Sequence, residues 1–139
     1  MINLRKTPRK TKWLYFFPIR IESNFIMNTF LKGYYGFAFF IFQIYKEAMQ
    51  SGRRVNHENI HFIQQAELLF VFQWIIYGLH YAWLRIVRQL NHRDAYRNIV
   101  FEKEAYYNRY NFEYLETRRF WSFILYFSKP IQKGKYIYT

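Results

Sequence analysis

Asn56-His57-Glu58-Asn59-Ile60-His61-Phe62-Ile63-Gln64-Gln65 lies near the middle of this 139-residue chain, and its reading decides the fold. From about Val55 onward, positions 57, 61, 64, 68, 72, 75 and 79 recur at steps of three and four, so they share one face of a helix. The pattern predicts a helix running to about Leu90, with Gly78 as the expected break. His57 and His61 are four residues apart, so both imidazoles leave one side of that helix at a separation a single zinc ion can bridge. Glu58 is poorly angled to bind the same ion, yet it can reach a water in the ion's open position. Zinc lowers the pKa of such a water towards about 7, and Glu58 can take its proton and pass it to a leaving amine. The plain alternative is an ordinary helix that happens to carry two histidines.

A catalytic zinc needs a third protein ligand. The chain has no cysteine, which leaves His, Asp or Glu and also excludes disulfide frameworks, iron–sulfur clusters and cysteine nucleophiles. A second helix is expected over 94–109 and carries Glu102 and Glu104, two apart and therefore on different sides. Glu102 is preferred, because Ala105 on its face allows a close approach to the histidine helix. Glu104 is the alternative. Gln65, one turn past His61, is a candidate to touch the site or support a ligand. Asn98 is a candidate hydrogen-bond partner for a ligand histidine, and Tyr106 or Tyr107 for a transition-state donor. His80 reads as a satisfied core histidine and His92 as an exposed loop residue.

His57-Glu58-x-x-His61 followed by a helix with Glu102-x-x-Ala105 resembles the gluzincin clan of zinc metallopeptidases, and within it the small bacterial minigluzincin-type proteins. The likeness covers about residues 55–110. It implies a small zincin-like domain with Zn2+ held by His57, His61 and a Glu of the later helix, with Glu58 as the base and a peptide or protein as substrate. It also implies an edge strand, here around 33–45, that aligns extended substrate. Clan members often carry Asp or Asn four residues after the ligand Glu. Counting from Glu102 gives Tyr106, and counting from Glu104 gives Asn108, so that comparison favours Glu104.

Outside the motif, residues 13–21 read as an edge strand or extended segment broken by Pro18, and the uncharged aromatic run 33–45 reads as a strand. A third helix is expected over about 113–127. The fold class is thus α+β, mostly helical, with a short N-terminal hairpin or edge strands. The expected organisation is a basic disordered arm over 1–12, a single domain over 13–128 and a basic tail over 129–139. Lys and Arg number 21 against 9 Asp and Glu, a net charge of +12, and 24% of residues are aromatic. That balance points to an anionic partner, such as a membrane surface. Nucleic acid is disfavoured as a partner, because most rings lie in apolar runs such as 37–42 and 68–77 rather than among basic residues. Leu68 to Leu84 carries no charge, and it reads as a buried or interfacial helix with bilayer insertion as the alternative. No cleavable signal is evident, so the expected location is cytoplasmic or membrane-associated. Two other functions stay open: a non-catalytic basic, aromatic-rich module that binds membrane or nucleic acid, and a degenerate zinc protein.

Overall fold

A computed structural model describes residues 18–134 apart from 31, 34–35, 40 and 47–51. The aromatic run expected as one strand folds back on itself. It forms β2 (Gly36–Phe39) and β3 (Phe42–Tyr45), paired antiparallel with Phe39 opposite Phe42. β1 (Ile19–Glu22) adds in parallel to the other side of β3, so the order is β1-β3-β2 and β2 is an edge. Between β1 and β2 runs α1 (Asn24–Thr29), whose first turn is capped by Ser23 Oγ accepting from the Ile26 amide at 3.3 Å.

α2 (Gly52–Glu67) is the histidine helix. It packs against β2 on one side and α5 (Val100–Asn108) on the other. Asn59 faces the sheet, where its Oδ1 accepts from Gln43 Nε2 at 3.0 Å and Arg20 Nη2 at 3.2 Å. Asn56 ties the start of α2 to the end of α5, its Nδ2 donating to the carbonyls of Asn108, Arg109 and Asn111.

The helix does not continue to Leu90, and Gly78 is not where it breaks. It ends at Glu67, and α3 (Val71–Ile86) leaves at 110° to it. Leu69 and Phe70 make the corner with φ of 50° and 62°, a left-handed conformation that costs about 1–2 kcal/mol per residue. The return is burial. The bend lays Leu84 against Leu90, Ala95, Ile99, Phe101 and Phe123 in the main core, and one fully buried leucine is worth about 1.5–3 kcal/mol.

The helix expected over 94–109 is likewise two. α4 (His92–Asn98) starts at Asn91, whose Oδ1 accepts from the Asp94 amide at 2.8 Å. Ile99 is extended, with ψ of 135°, and α5 begins anew at Val100. The amide freed by that break is not orphaned: Val100 N donates to His80 Nδ1 at 3.1 Å. The helix expected over 113–127 shortens to α6 (Tyr114–Thr117) and a 3-10 helix, Ser122–Phe127, separated by Trp121 at φ 56°.

Residues 129–134 are held against α4 and α5. Lys103 Nζ donates to the Lys129 carbonyl at 2.8 Å, and Asn98 exchanges hydrogen bonds with the Gln132 backbone. The arm expected over 1–12 and residues 135–139 lie outside the described residues. Among the described residues no single helix is long and apolar enough to cross a membrane; only α2 and α3 taken together pass by composition, and they are sharply bent.

Candidate metal centre

α2 places His57 and His61 one turn apart, and α5 crosses the same face with Glu102 in its first turn. His57 Nε2 and His61 Nε2 are 3.0 Å apart. Glu102 Oε2 lies 3.5 Å from the former, and Oε1 lies 3.4 Å from the latter. Metal–ligand bonds of about 2.0–2.1 Å at tetrahedral angles separate ligand atoms by roughly 3.3 Å, so this spacing suits one ion. The group can hold a metal ion. Glu102 Oε2 is buried without a hydrogen bond, an orphaned atom that a cation would satisfy.

The protonation pattern of His61 follows from its neighbour. Gln64 Nε2 donates to the Phe101 carbonyl at 3.2 Å and to Glu104 Oε2 at 2.8 Å, both acceptors only. That fixes the amide so that its oxygen faces His61 Nδ1 at 2.8 Å. Nδ1 must therefore carry a hydrogen, which leaves Nε2 as the nitrogen that faces the metal position.

Electrostatics bind the group together. Burial alone would lower the His61 pKa, but the Glu102 carboxylate beside it, then Glu58 and Gln64, raise it to about 9. Burial would raise Glu102, but His61 and His57 hold it well below the usual carboxylate range. Glu58 is pushed up, first by burial and further by Glu102, against the pull of the two histidines. A carboxylate whose proton affinity is raised is suited to a base that must take up a proton and release it.

Glu58 sits under β2. A Cβ built on Gly36 would meet Glu58 Oε1 at 3.1 Å and the Tyr45 ring at 3.2 Å, so the strand passes as close as a glycine allows. Gln65 Nε2 donates to the Ala38 carbonyl at 3.0 Å and anchors the same strand. Gln65 thus supports the edge strand, while the residue that orients a histidine is Gln64. The spacing 57, 61, 64 already placed Gln64 on the histidine face.

Glu104 is no part of the metal group. It is fully buried between α5, α2 and the segment after α5, where it accepts from Gln64, Tyr114 Oη and Arg118. Arg118 also grips Glu67 with both terminal nitrogens. Asn98 does not reach a histidine; its side chain bonds Asp94 and Gln132 backbone atoms. Tyr106 does reach the site, with its ring edge-on to His57 at 4.7 Å between centroids and its hydroxyl pKa raised by burial and by Glu102. Tyr107 points elsewhere, its hydroxyl accepting from Gln132 Nε2. Tyr77 on α3 donates to Glu102 Oε1 at 3.3 Å. Nothing in the apolar run around Tyr77 singles it out beforehand; only the bend at Leu69–Phe70 brings it back to α5. His80 is the satisfied histidine expected, and His92 is exposed and bonded to Tyr81 Oη.

Two cavities meet at Glu58 and Gly36. One, of about 200 Å3, is mostly apolar, with Phe37, Ala38, Trp74 and Tyr77 in its walls. The other, of about 590 Å3, runs past His57 and Tyr106 and is rich in Lys and Arg. No family model matches the chain, and neither a curated protein nor a solved structure matches it.

Proposed function

We propose that this chain is a zinc-dependent hydrolase of the gluzincin kind, acting on peptide bonds. The observation that supports it most is the buried His57, His61 and Glu102 group with Glu58 on the wall of the same cavity. Two imidazoles and one carboxylate are a ligand set that zinc favours in hydrolytic sites, with a fourth position left open. When bound, zinc would act as a Lewis acid and lower the pKa of water at that position. Glu58 takes the proton from the attacking water and returns it to the leaving amine. Tyr106, whose ring packs edge-on to His57, is the donor proposed for a developing oxyanion. β2, an edge strand pressed against Glu58 at Gly36, offers backbone groups to an extended substrate chain.

The test is metal content together with hydrolysis. The parent should bind about one zinc per chain and cleave peptides. His61→Ala should lose the metal, and Glu58→Gln should keep it while losing at least about a hundredfold in rate. A Glu58→Gln protein as active as the parent would reject the peptidase reading. Zinc bound by the parent and lost by His61→Ala, with no hydrolysis by the parent, would leave a zinc protein without this activity.

A second reading concerns location, and one observation favours it. Phe72, Ile75, Leu79, Trp83 and Ile86 form a stripe along α3 that is exposed, Leu79 at 68% and Ile86 at 76%. No acid occurs between Glu67 and Asp94, while Arg85, Arg88 and Arg93 do. An apolar stripe with only cations around it fits an anionic lipid surface, the helix lying in the interface. Vesicles with anionic lipid should sediment the protein, and Leu79→Glu should abolish this. Equal binding to neutral vesicles, or none to either, would overturn it.

A further inference from the structure

We infer that the large cavity beside the metal group selects substrates bearing acidic groups on one side of the cleaved bond. The inference rests on the peptidase reading and names its substrate class. Six cations line that cavity: Lys32, Arg53, Arg54, Arg93, Arg97 and Arg109. They come from the α1–β2 connection, the first turn of α2, α4 and the end of α5. Among the described lining residues the single carboxylate is Glu58.

The placement of two of these cations runs against helix stability. Arg53 and Arg54 stand at the N-terminus of α2, where the helix dipole disfavours positive charge, and that turn holds no acid. Several of these cations are nevertheless held in place. Arg53 donates to Tyr110 Oη at 3.1 Å. The guanidinium groups of Arg97 and Arg109 lie over the Tyr106 ring at 6.0 and 5.3 Å, and Tyr106 in turn touches His57. Arg97 and Arg109 are thus tied to the metal group through one aromatic ring.

Across Glu58 the smaller cavity is walled by Phe37, Ala38, Trp74 and Tyr77. An extended peptide passing Glu58 would place an apolar residue there and its acidic residues among the arginines. Guanidinium groups bind carboxylates through paired hydrogen bonds, and like-signed walls in a cleft concentrate the opposite charge. A nucleic acid would find the cations but no use for the apolar cavity on the other side of the metal.

The experiment uses zinc-loaded Glu58→Gln protein and fluorescein-labelled peptides of one apolar half, whose other half carries Glu, Gln or Lys. Anisotropy should show the Glu peptide binding about tenfold or more tighter than the Gln peptide, with the advantage shrinking as salt rises. Arg53→Glu with Arg93→Glu should erase the preference while zinc content stays at the parent level. Those changes put acids near helix N-termini, which favours folding. Equal affinity for Glu and Gln peptides would overturn the inference, as would a single-stranded oligonucleotide of equal charge that displaces the Glu peptide. Peptide cleavage by the parent with no charge preference would sink the inference alone. A clear charge preference with no cleavage by the parent would sink the peptidase reading alone.

Discussion

The side-chain oxygen of Gln64 lies 2.8 Å from Nδ1 of His61, and Gln64 has both amide hydrogens committed to acceptors. The pair therefore sets which nitrogen of His61 is free for a metal. Gln64→Leu keeps the volume but loses the acceptor, and the ring can then take the other tautomer or rotate. Zinc affinity should fall about 10–100-fold. Competition against a chelator measures it, and an unchanged affinity would show that Gln64 serves packing alone.

Behind Gln64 the relay continues through Glu104 to Arg118, which also holds Glu67. Arg118 closes α2 onto α5 from the C-terminal side. Arg118→Met leaves two buried carboxylates without a cation and should destabilise the protein by about 3–5 kcal/mol. Denaturant unfolding of the zinc-free protein reads this out. Arg118→Met combined with Glu67→Gln should recover part of the loss, because one of the stranded charges is then gone.

Much of this centre could be read before any coordinates. Histidines four apart and a glutamate on a later helix are set by helical periodicity, which survives changes of context. The choice between Glu102 and Glu104 could not, because both face buried surroundings and only their partners differ: two histidines for one, Arg118 and Tyr114 for the other. The corner at Leu69–Phe70 was hidden for a different reason. No Gly or Pro marks it, and two ordinary residues adopt positive φ only because the packing of α3 on α4 and α5 repays the strain. The hairpin turn within Phe39–Phe42 is equally unmarked, so an apolar run read as one strand became two. Gly78 shows the converse. It is a helix breaker by type, yet it sits exposed inside α3 with nothing near it.

Gly36 gives a test of the strand's approach to the base. A methyl there would meet Glu58 Oε1 at 3.1 Å and the Tyr45 ring at 3.2 Å, so the carboxylate or the strand must shift by a few tenths of an ångström. Gly36→Ala should leave zinc content unchanged and lower kcat/KM about tenfold or more, since catalysis is sensitive to displacements of this size. Parent-like kinetics in a folded, zinc-loaded Gly36→Ala protein would show that the strand does not position Glu58.

His80 supplies a pH dependence separate from the metal. Its Nδ1 accepts from the Val100 amide and so must be unprotonated, and burial followed by the nearby Lys103 charge lowers its pKa from 6.5 to about 4. The unfolded chain binds a proton at higher pH than the folded one does. The stabilising contribution of neutral His80 is therefore complete above about pH 6.5 and is lost as pH falls through 4. His80→Gln can keep an acceptor for the α5 amide without titrating. The parent should lose stability between pH 6.5 and 4 more steeply than His80→Gln, measured as urea midpoints on zinc-free protein. The two curves should run parallel above pH 7, and parallel curves across the acid range would show that His80 does not couple folding to pH.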